Sequence, residues 1–165
     1  MSIALYPGSF DPITVEHIHI TERVCRMFDQ VIVAVADQNY KSTLFSLEER
    51  TRFAVDAVAH LPTCKVVQFD DLTVEFAKKI GANTIIRGLR AVSDYEYEMQ
   101  IFAINKYLDP SIETVFLMSE AEYSFISSSV IKQAGRSGAK LAGLVTPMVE
   151  KEIRKKLFRE TKTVD

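Results

Sequence analysis

Short apolar runs alternate with longer amphipathic stretches along this chain. The apolar runs contain few alternating polar residues, which is typical of strands buried on both faces of a parallel sheet. We predict strands at Ile3 to Tyr6, Gln30 to Ala36, Lys65 to Phe69, Thr84 to Arg87 and Thr114 to Met118. Helices are predicted at about Thr14 to Phe28, Leu47 to His60, Leu72 to Ile80, Ala91 to Leu108, Ser127 to Ala134 and Thr146 to Phe158. This alternation predicts an α/β fold, a doubly wound, Rossmann-like parallel five-stranded sheet with helices on both faces.

Local signals mark two of the helix ends. Ser46 is expected to cap the second helix, because Glu48 and Glu49 follow it near the positive end of the helix. Gly81 directly follows the third helix and is expected to end it, since glycine adopts the left-handed conformation common at helix ends.

Composition and charge narrow the class of protein. A chain of 165 residues, 47% of them hydrophobic, is expected to form one domain over residues 1–165, with its last helix at about 146–158. A net charge of −2 argues against a general binder of nucleic acid or of an anionic membrane. No run approaches the roughly 18 apolar residues of a membrane helix, and the first residues lack the pattern of a signal peptide. A soluble, cytoplasmic protein is therefore expected.

The two cysteines, Cys25 and Cys64, lack the Cys-x-x-Cys spacing of many metal and redox sites. Such residues are more often reduced core thiols of a cytosolic protein than a disulfide, and the sequence leaves both interpretations open.

Polar side chains follow every predicted strand. They are Ser9 and His17 after the first strand, Lys41 after the second, Asp70 and Asp71 after the third, Arg87 and Arg90 at the end of the fourth, and a serine cluster after the fifth. Because ligands of doubly wound sheets bind beyond the carboxyl ends of the strands, these residues are expected to surround one site.

Two of these segments open helices and can bind anions. The turn at Gly8 and Ser9 leads to a helix with His17 in its first turn, and the serine cluster leads to another helix. Helix N-termini present unpaired N–H groups and a partial positive charge to a phosphate. A histidine that faces a phosphate stabilises charge that develops at phosphorus. The alternative for His17 is packing or helix capping, and His19 and His60 are expected to be structural.

Arg87 and Arg90 flank a glycine at the end of an apolar strand. An arginine there is costly to bury unless an anion or a carboxylate meets it. The pair is therefore expected to grip phosphates, or to form structural ion pairs with acids of the next helix, which are Asp94, Glu96 and Glu98. Both interpretations stay open from the sequence.

Together these segments resemble the bacterial phosphopantetheine adenylyltransferases, members of the nucleotidyltransferase superfamily with HxGH or TxGH signatures. The likeness runs along nearly the whole chain, and the segments that carry it are Tyr6-Pro7-Gly8-Ser9-Phe10-Asp11-Pro12, Ile86-Arg87-Gly88-Leu89-Arg90, Asp94-Tyr95-Glu96-Tyr97-Glu98 and Tyr123-Ser124-Phe125-Ile126-Ser127-Ser128-Ser129. The resemblance implies transfer of AMP from ATP to 4′-phosphopantetheine, giving dephospho-coenzyme A and pyrophosphate. It also implies Mg²⁺ with the ATP, a homohexamer and feedback by coenzyme A.

The resemblance also assigns roles to individual residues. Catalytic roles fall to His17, Lys41 and Arg90. Phosphopantetheine would be bound by Ser9, Lys41, Thr73 and Arg87. ATP would be bound by Ser9, Phe10, His17, Gly88, Leu89, Arg90, Glu98, Tyr123, Ser124, Phe125, Ile126, Ser127, Ser128 and Ser129. No side chain is assigned as a direct metal ligand.

Position 16 departs from the signature, because Thr14-Val15-Glu16-His17 carries glutamate where TxGH carries glycine. A carboxylate about 4 Å from a phosphate would cost on the order of 4 kcal/mol at an effective dielectric near 20. We expect Glu16 to be rotated away from the site and to face solvent, where it stabilises the helix start slightly.

A smaller departure is Lys132, which stands where related proteins often carry arginine. Two alternatives remain: an enzyme for another phosphorylated acceptor, and a non-catalytic nucleotide or coenzyme A binding protein disabled at Glu16.

Overall fold

The computed structural model of the chain describes residues 1–37 and 42–160, without the side chains of residues 92, 93 and 158–160. Lys41, to which the sequence analysis gives a catalytic and a substrate-binding role, lies outside the described residues.

Every predicted strand and helix is present, and most ends agree to within two residues. The strands are β1 (Ile3–Gly8), β2 (Gln30–Ala36), β3 (Cys64–Phe69), β4 (Thr84–Leu89) and β5 (Glu113–Met118). The helices are α1 (Val15–Cys25), α2 (Leu47–Val58), α3 (Thr73–Lys79), α4 (Val92–Leu108), α5 (Ser128–Arg136) and α6 (Pro147–Glu160).

The five strands form one parallel sheet in the order β3-β2-β1-β4-β5. The chain winds outward from β1 to β3 and then returns to the other side of β1 for β4 and β5. The winding therefore reverses between β1 and β4, which is where a ligand site is expected in such a sheet. The prediction of a doubly wound α/β sheet is confirmed.

Side chains alternate between two cores along β1. Ala4 and Tyr6 pack in the larger core, with side chains from α1, α2, α5 and α6. Leu5 points to the opposite face and packs in a smaller core with Val74 and Phe76 of α3. Both faces of the sheet are covered, which explains why the strands are apolar at consecutive positions.

The predicted helix signals at Ser46 and Gly81 are confirmed. The Ser46 hydroxyl accepts a hydrogen bond from the Glu49 backbone N–H at 3.2 Å, and the Glu49 carboxylate accepts one from the Ser46 N–H at 2.9 Å. This reciprocal capping box fixes the start of α2. Gly81 has φ of 74°, so it provides the left-handed residue after α3.

The two cysteines are free thiols and lie next to each other. Cys25 ends α1 and Cys64 begins β3, so the fold brings together two residues that are distant in sequence. Burial, reinforced by the neighbouring Cys25, raises the pKa of Cys64 to about 12. Since the thiolate is the reactive form, Cys64 is an unreactive thiol at neutral pH.

Within residues 1–37 and 42–160, no helix has both the length and the apolar character that crossing a membrane requires.

Candidate active site

A cavity of about 380 Å³ opens at the carboxyl ends of β1 and β4, where the winding of the sheet reverses. It is lined by Tyr6, Pro7, Gly8, Ser9, Phe10, Asp11, Glu16, His17, Ser42, Thr43, Arg87, Gly88, Arg90, Glu98, Ser127, Ser128, Ser129 and Lys132. The cavity thus brings together most of the residues that the sequence analysis assigned to the nucleotide, from four separate parts of the chain.

The loop after β1 folds back on itself to form one wall of the cavity. Phe10 has φ of 46°, an uncommon value for a residue other than glycine, and its ring is buried. The ring packs edge-on against Tyr6 and against His17, with centroid distances of 5.4 and 5.2 Å. A Cβ atom on Gly8 would lie 3.0 Å from this ring. Gly8 is therefore needed for the close approach of the Phe10 ring.

His17 caps the start of α1 and also lines the cavity. Its Nδ1 accepts a hydrogen bond from the backbone N–H of Thr14 at 3.0 Å. Because that N–H can only donate, Nδ1 carries no proton and Nε2 carries the N–H. Burial lowers the pKa of His17 and nearby Arg90 lowers it further, while Glu16 opposes them. His17 is therefore a neutral imidazole whose Nε2–H is its hydrogen-bond donor. Capping and a role in the site, which the sequence left as alternatives, are compatible.

We expect NMR titration of the His17 ring to show a midpoint below the ordinary value of 6.5, with the Nε2–H tautomer at neutral pH. The folded protein binds this proton less readily than the unfolded chain does. The stability that neutral His17 contributes is therefore present above pH 6.5 and is lost as the pH falls through the lower folded-state pKa. A His17→Gln variant assigns the resonance. A midpoint above 6.5 would contradict the lowered pKa, and an Nδ1–H tautomer would contradict the assignment of Nδ1 as an acceptor.

The two arginines at the end of β4 each meet a carboxylate of α4. Arg87 forms a bidentate pair with Glu98, with Nε–Oε2 and Nη2–Oε1 distances of 2.6 and 2.7 Å. Burial alone would lower the pKa of Arg87, but hydrogen bonding and attraction by Glu98 outweigh it, so the pKa is raised. The Arg90 Nε lies 3.4 Å from Asp94 Oδ2. The structural ion pairs are therefore formed, and both guanidinium groups still line the cavity.

A third ion pair, between Asp11 and Lys132, ties α5 to the loops around the cavity. The Asp11 carboxylate accepts hydrogen bonds from the backbone N–H groups of Leu44 and Phe45 at 2.9 and 3.0 Å, and from Lys132 Nζ at 2.9 Å. Asp11 is buried and had no role in the sequence analysis. Lys132 places a positive charge at the cavity, although it lacks the fork of an arginine.

The serine cluster opens α5 directly onto the cavity. The Ser127 hydroxyl caps the helix by accepting the Val130 N–H at 3.1 Å. Ser128 Oγ donates to the Pro12 carbonyl at 2.8 Å, which joins the start of α5 to the loop after β1. The N-termini of α1 and α5 therefore meet at one cavity, as the sequence predicts, and their N–H groups and partial positive charges favour an anion there.

Arg50 of α2 does not line the cavity but joins three backbone segments near it, and the sequence analysis missed this residue. Its side chain is 2% exposed and donates to the carbonyls of Ser9, Ala36 and Phe45 at 2.6, 2.9 and 3.3 Å. The carbonyls belong to the loop after β1, the end of β2 and the segment before α2. A signal was present, because Arg50 shares helical spacing with the apolar residues Phe53, Ala54 and Ala57 and so falls on the buried face.

The prediction that Glu16 faces solvent is wrong. Glu16 is 3% exposed and lines the cavity. Its Oε1 accepts a hydrogen bond from Ser119 Oγ at 2.5 Å, and its Oε2 lies 3.9 Å from His17 Nε2. The physical reason is the position of α1: its first turn lies against the ends of β4 and β5, so the direction that would face solvent on an isolated helix is covered by the sheet.

Several predicted site residues lie away from the cavity. Thr73, Asp70 and Asp71 line a second cavity of about 310 Å³ with Ala36, Asp37, Phe69 and Leu72. In the segment before α5, Tyr123 packs on His19 with a ring-centroid distance of 4.7 Å, and Ser124 Oγ donates to the Ala121 carbonyl. Phe125 is exposed, whereas Ile126 is buried in the core. Leu89 is buried. The structure therefore brings Ser127–Ser129 to the main cavity, but not Tyr123 to Ile126, Leu89 or Thr73.

Comparisons with known proteins agree with this architecture. The cytidylyltransferase-like family matches residues 5–134. A phosphopantetheine adenylyltransferase from Desulfitobacterium hafniense strain Y51 is 51% identical over 160 residues, which is 97% of this chain and 98% of that protein. One from Moorella thermoacetica is 50% identical over 156 residues, which is 94% of this chain and 98% of that protein.

A solved structure from Vibrio parahaemolyticus, of a protein assigned as a nicotinate-nucleotide adenylyltransferase, covers 97% of both chains with a TM-score of 0.72 and 18% identity. At that identity the likeness concerns the fold alone. The extent and the identity of the two sequence matches go much further, and this chain belongs to the phosphopantetheine adenylyltransferases, within the cytidylyltransferase-like nucleotidyltransferases.

Proposed function

We propose that this protein transfers AMP from ATP to 4′-phosphopantetheine, giving dephospho-coenzyme A and pyrophosphate. The observation that carries the proposal is the meeting of the α1 and α5 N-termini at one cavity, with His17 between them and Lys132 beside them. This arrangement suits a polyphosphate, and family membership supports the choice of acceptor.

In the proposed reaction a phosphate oxygen of 4′-phosphopantetheine attacks the α-phosphorus of ATP. The new P–O bond forms while the bond to pyrophosphate breaks, and pyrophosphate leaves with the electron pair. The attacking oxygen is already anionic at neutral pH, so no general base is needed. Catalysis then depends on aligning two anions and stabilising the charge that develops at phosphorus.

The described residues divide this work. The His17 Nε2–H donates to a non-bridging oxygen of the α-phosphate, and Arg90, which is close enough to affect the pKa of His17, adds positive charge there. The N–H groups at Ser127 to Ser129, together with Lys132, bind the phosphates that leave. Other ATP contacts are proposed for Ser9, Phe10, Gly88 and Glu98, which line the cavity. On the resemblance alone, contacts are also proposed for Leu89 and the segment from Tyr123 to Ile126, which lie outside that lining.

The acceptor is proposed to reach the cavity from the side of β1 on which β2 and β3 lie. Arg87 is fixed by Glu98 and donates weakly to the Pro7 carbonyl at 3.4 Å, so its guanidinium is held rigidly at the cavity for the acceptor phosphate. Thr73 belongs to the neighbouring cavity, which suits the extended arm of the acceptor. Ser9 and Lys41 complete the proposed acceptor contacts.

Magnesium is proposed to arrive with ATP as part of the substrate. Among the residues that the structure describes, no group of three or more His, Cys, Asp or Glu side chains is placed to hold a metal ion. We assign no side chain as a direct ligand of Mg²⁺ and no step of the reaction to a metal site of the protein. The ion would instead be bound by phosphate oxygens and water, as Mg²⁺ commonly is in nucleotide sites.

Four further properties are proposed on the resemblance to the family and on the sequence. The chain is proposed to form a single domain over residues 1–165, to assemble as a homohexamer, to act in the cytoplasm, and to respond to coenzyme A by feedback.

The direct test mixes purified protein with ATP, Mg²⁺ and 4′-phosphopantetheine and measures both products. We expect dephospho-coenzyme A and pyrophosphate in equal amounts. Nicotinate mononucleotide, supplied as the only acceptor, tests for another phosphorylated acceptor, and pantetheine without its phosphate is the negative control. Folded protein that binds ATP but forms no product with either phosphorylated acceptor would contradict the proposal and favour a non-catalytic binding protein.

A further inference from the structure

Glu16 is a buried carboxylate that lines the main cavity, at a position where the TxGH signature carries glycine. We propose that Glu16 accepts hydrogen bonds from the ribose hydroxyl groups of the bound nucleoside triphosphate, and so makes this protein selective for ribonucleotides over deoxyribonucleotides. The inference rests on the proposed function, because it concerns the nucleotide of that same site.

The Glu16 side chain is held in place by the ends of two strands. Ser119 Oγ donates to Oε1 at 2.5 Å, and the Ser119 backbone N–H donates to the Leu89 carbonyl at 2.8 Å. A Cβ atom on Gly88 would lie 3.4 Å from Oε1, so the carboxylate packs against the Gly88 backbone. The carboxylate is therefore positioned before any ligand arrives.

Electrostatics decides which part of the nucleotide can lie there. At an effective dielectric near 20, a phosphate about 4 Å from a carboxylate would lose roughly a thousandfold in binding. The triphosphate instead fits the start of α5 and Lys132, which contact Pro12 and Asp11 rather than Gly88 and Ser119. The uncharged nucleoside is then left for the Glu16 side of the cavity.

The distance between Glu16 and His17 indicates which part of the nucleoside would lie beside Glu16. Glu16 Oε2 lies 3.9 Å from His17 Nε2, which is proposed to hold the α-phosphate. The ribose is the group joined directly to the α-phosphate, so it is the part of the nucleoside nearest to this point. The sugar carries two neighbouring hydroxyl groups that a single carboxylate can bind.

The chemistry of the carboxylate matches these hydroxyl groups. An ionised carboxylate only accepts hydrogen bonds. Among residues 1–37 and 42–160, Oε1 is engaged by Ser119, while no donor approaches Oε2 within hydrogen-bond distance, since the His17 nitrogen at 3.9 Å is too far. An acidic residue serves ribose hydroxyl groups in the same way in dinucleotide-binding folds. Here Oε2 is the acceptor that a sugar hydroxyl would satisfy.

The test compares ATP, 2′-deoxyATP and 3′-deoxyATP as substrates for the full chain with 4′-phosphopantetheine. We expect kcat/KM for ATP to exceed that of at least one deoxynucleotide by about tenfold or more, as for a hydrogen bond to a charged group. In Glu16→Gly this ratio is expected to fall to within about threefold, and in Glu16→Gln to lie between. Glu22→Gln, a change on the same helix at a half-buried carboxylate that pairs with His60 away from the main cavity, is the matched control and keeps the wild-type ratio.

Binding of the same three nucleotides, measured by calorimetry without acceptor, separates failure of the inference from failure of the proposed function. Absence of product with ATP would overturn the function, whereas the ratio of the dissociation constants still tests Glu16. Equal affinity of the wild type for all three nucleotides would overturn the inference. So would tighter ATP binding in Glu16→Gln with an unchanged ratio, because the carboxylate would then only repel the triphosphate. Glu16→Gln keeps the shape of the side chain and serves if Glu16→Gly does not fold.

Discussion

Replacement of His17 by alanine is expected to lower kcat for adenylyl transfer by about 10²- to 10³-fold. The reason is the loss of the Nε2–H donor, whose interaction with the α-phosphate strengthens as charge develops in the transition state. KM for ATP is expected to change little, because the ground state has less charge at that oxygen. Steady-state kinetics with both substrates varied measures the two parameters separately.

His19→Ala is the matched control for this experiment. His19 lies two residues further along α1, but its ring packs on Tyr123 and its Nε2 lies 3.5 Å from Glu120, outside the residues that line the main cavity. We expect His19→Ala to keep kcat within about threefold of the wild type, as for a residue with no contact to the reacting groups. Since His17 also accepts the Thr14 N–H, the thermal midpoint of each variant is needed. A loss of kcat below tenfold in folded His17→Ala would contradict the assigned role.

Replacement of Arg50 by methionine is expected to lower the free energy of unfolding by about 3–5 kcal/mol. Methionine keeps much of the apolar stem but lacks the guanidinium N–H groups that donate to the carbonyls of Ser9, Ala36 and Phe45. A buried carbonyl that loses a donor costs about 1–3 kcal/mol. The Phe45 carbonyl still accepts from the Thr43 hydroxyl at 2.9 Å, so the loss falls mainly on the Ser9 and Ala36 carbonyls. The effect is a large fraction of the roughly 5–15 kcal/mol that stabilises a typical domain. Urea unfolding followed by circular dichroism measures it.

Arg52→Met is the control for charge and helix propensity, because Arg52 lies on the same helix but is exposed. Its change in unfolding free energy is expected to stay within about 0.5 kcal/mol. Arg50→Lys keeps a positive charge but not the planar fork, so it is expected to recover only part of the loss. A loss below about 1 kcal/mol in Arg50→Met would show that water replaces the guanidinium without cost, contrary to the burial of this side chain.

The elements and their order were predictable because each depends on residues within one or two turns of chain. Consecutive apolar residues at 31–35 indicate a strand covered on both faces, and the Ser46 to Glu49 segment carries its own capping box. The location of the site was predictable for a related reason. In a parallel sheet all strands end at the same edge, so polar residues that follow strands must converge there.

Partners of side chains were not predictable in the same way. From the sequence, Arg87 could either bind phosphate or form an ion pair with an acid of the next helix such as Glu98. Only the packing of α4 against β4 shows that Arg87 and Glu98 form a bidentate pair. The sequence placed Thr73 with the other substrate contacts, whereas the structure puts this residue at a neighbouring cavity. These outcomes depend on how elements distant in sequence approach one another.

The sequence by itself therefore determined the α/β class, the strand and helix positions, the edge of the sheet at which the cavity lies and the two helix starts that meet there. Only the tertiary structure decided the orientation of Glu16, the support from Arg50 and the contact between Cys25 and Cys64. The physical reason is range: periodicity and capping act between neighbours along the chain, while the burial and partners of a charged side chain are set by whatever the fold brings against it.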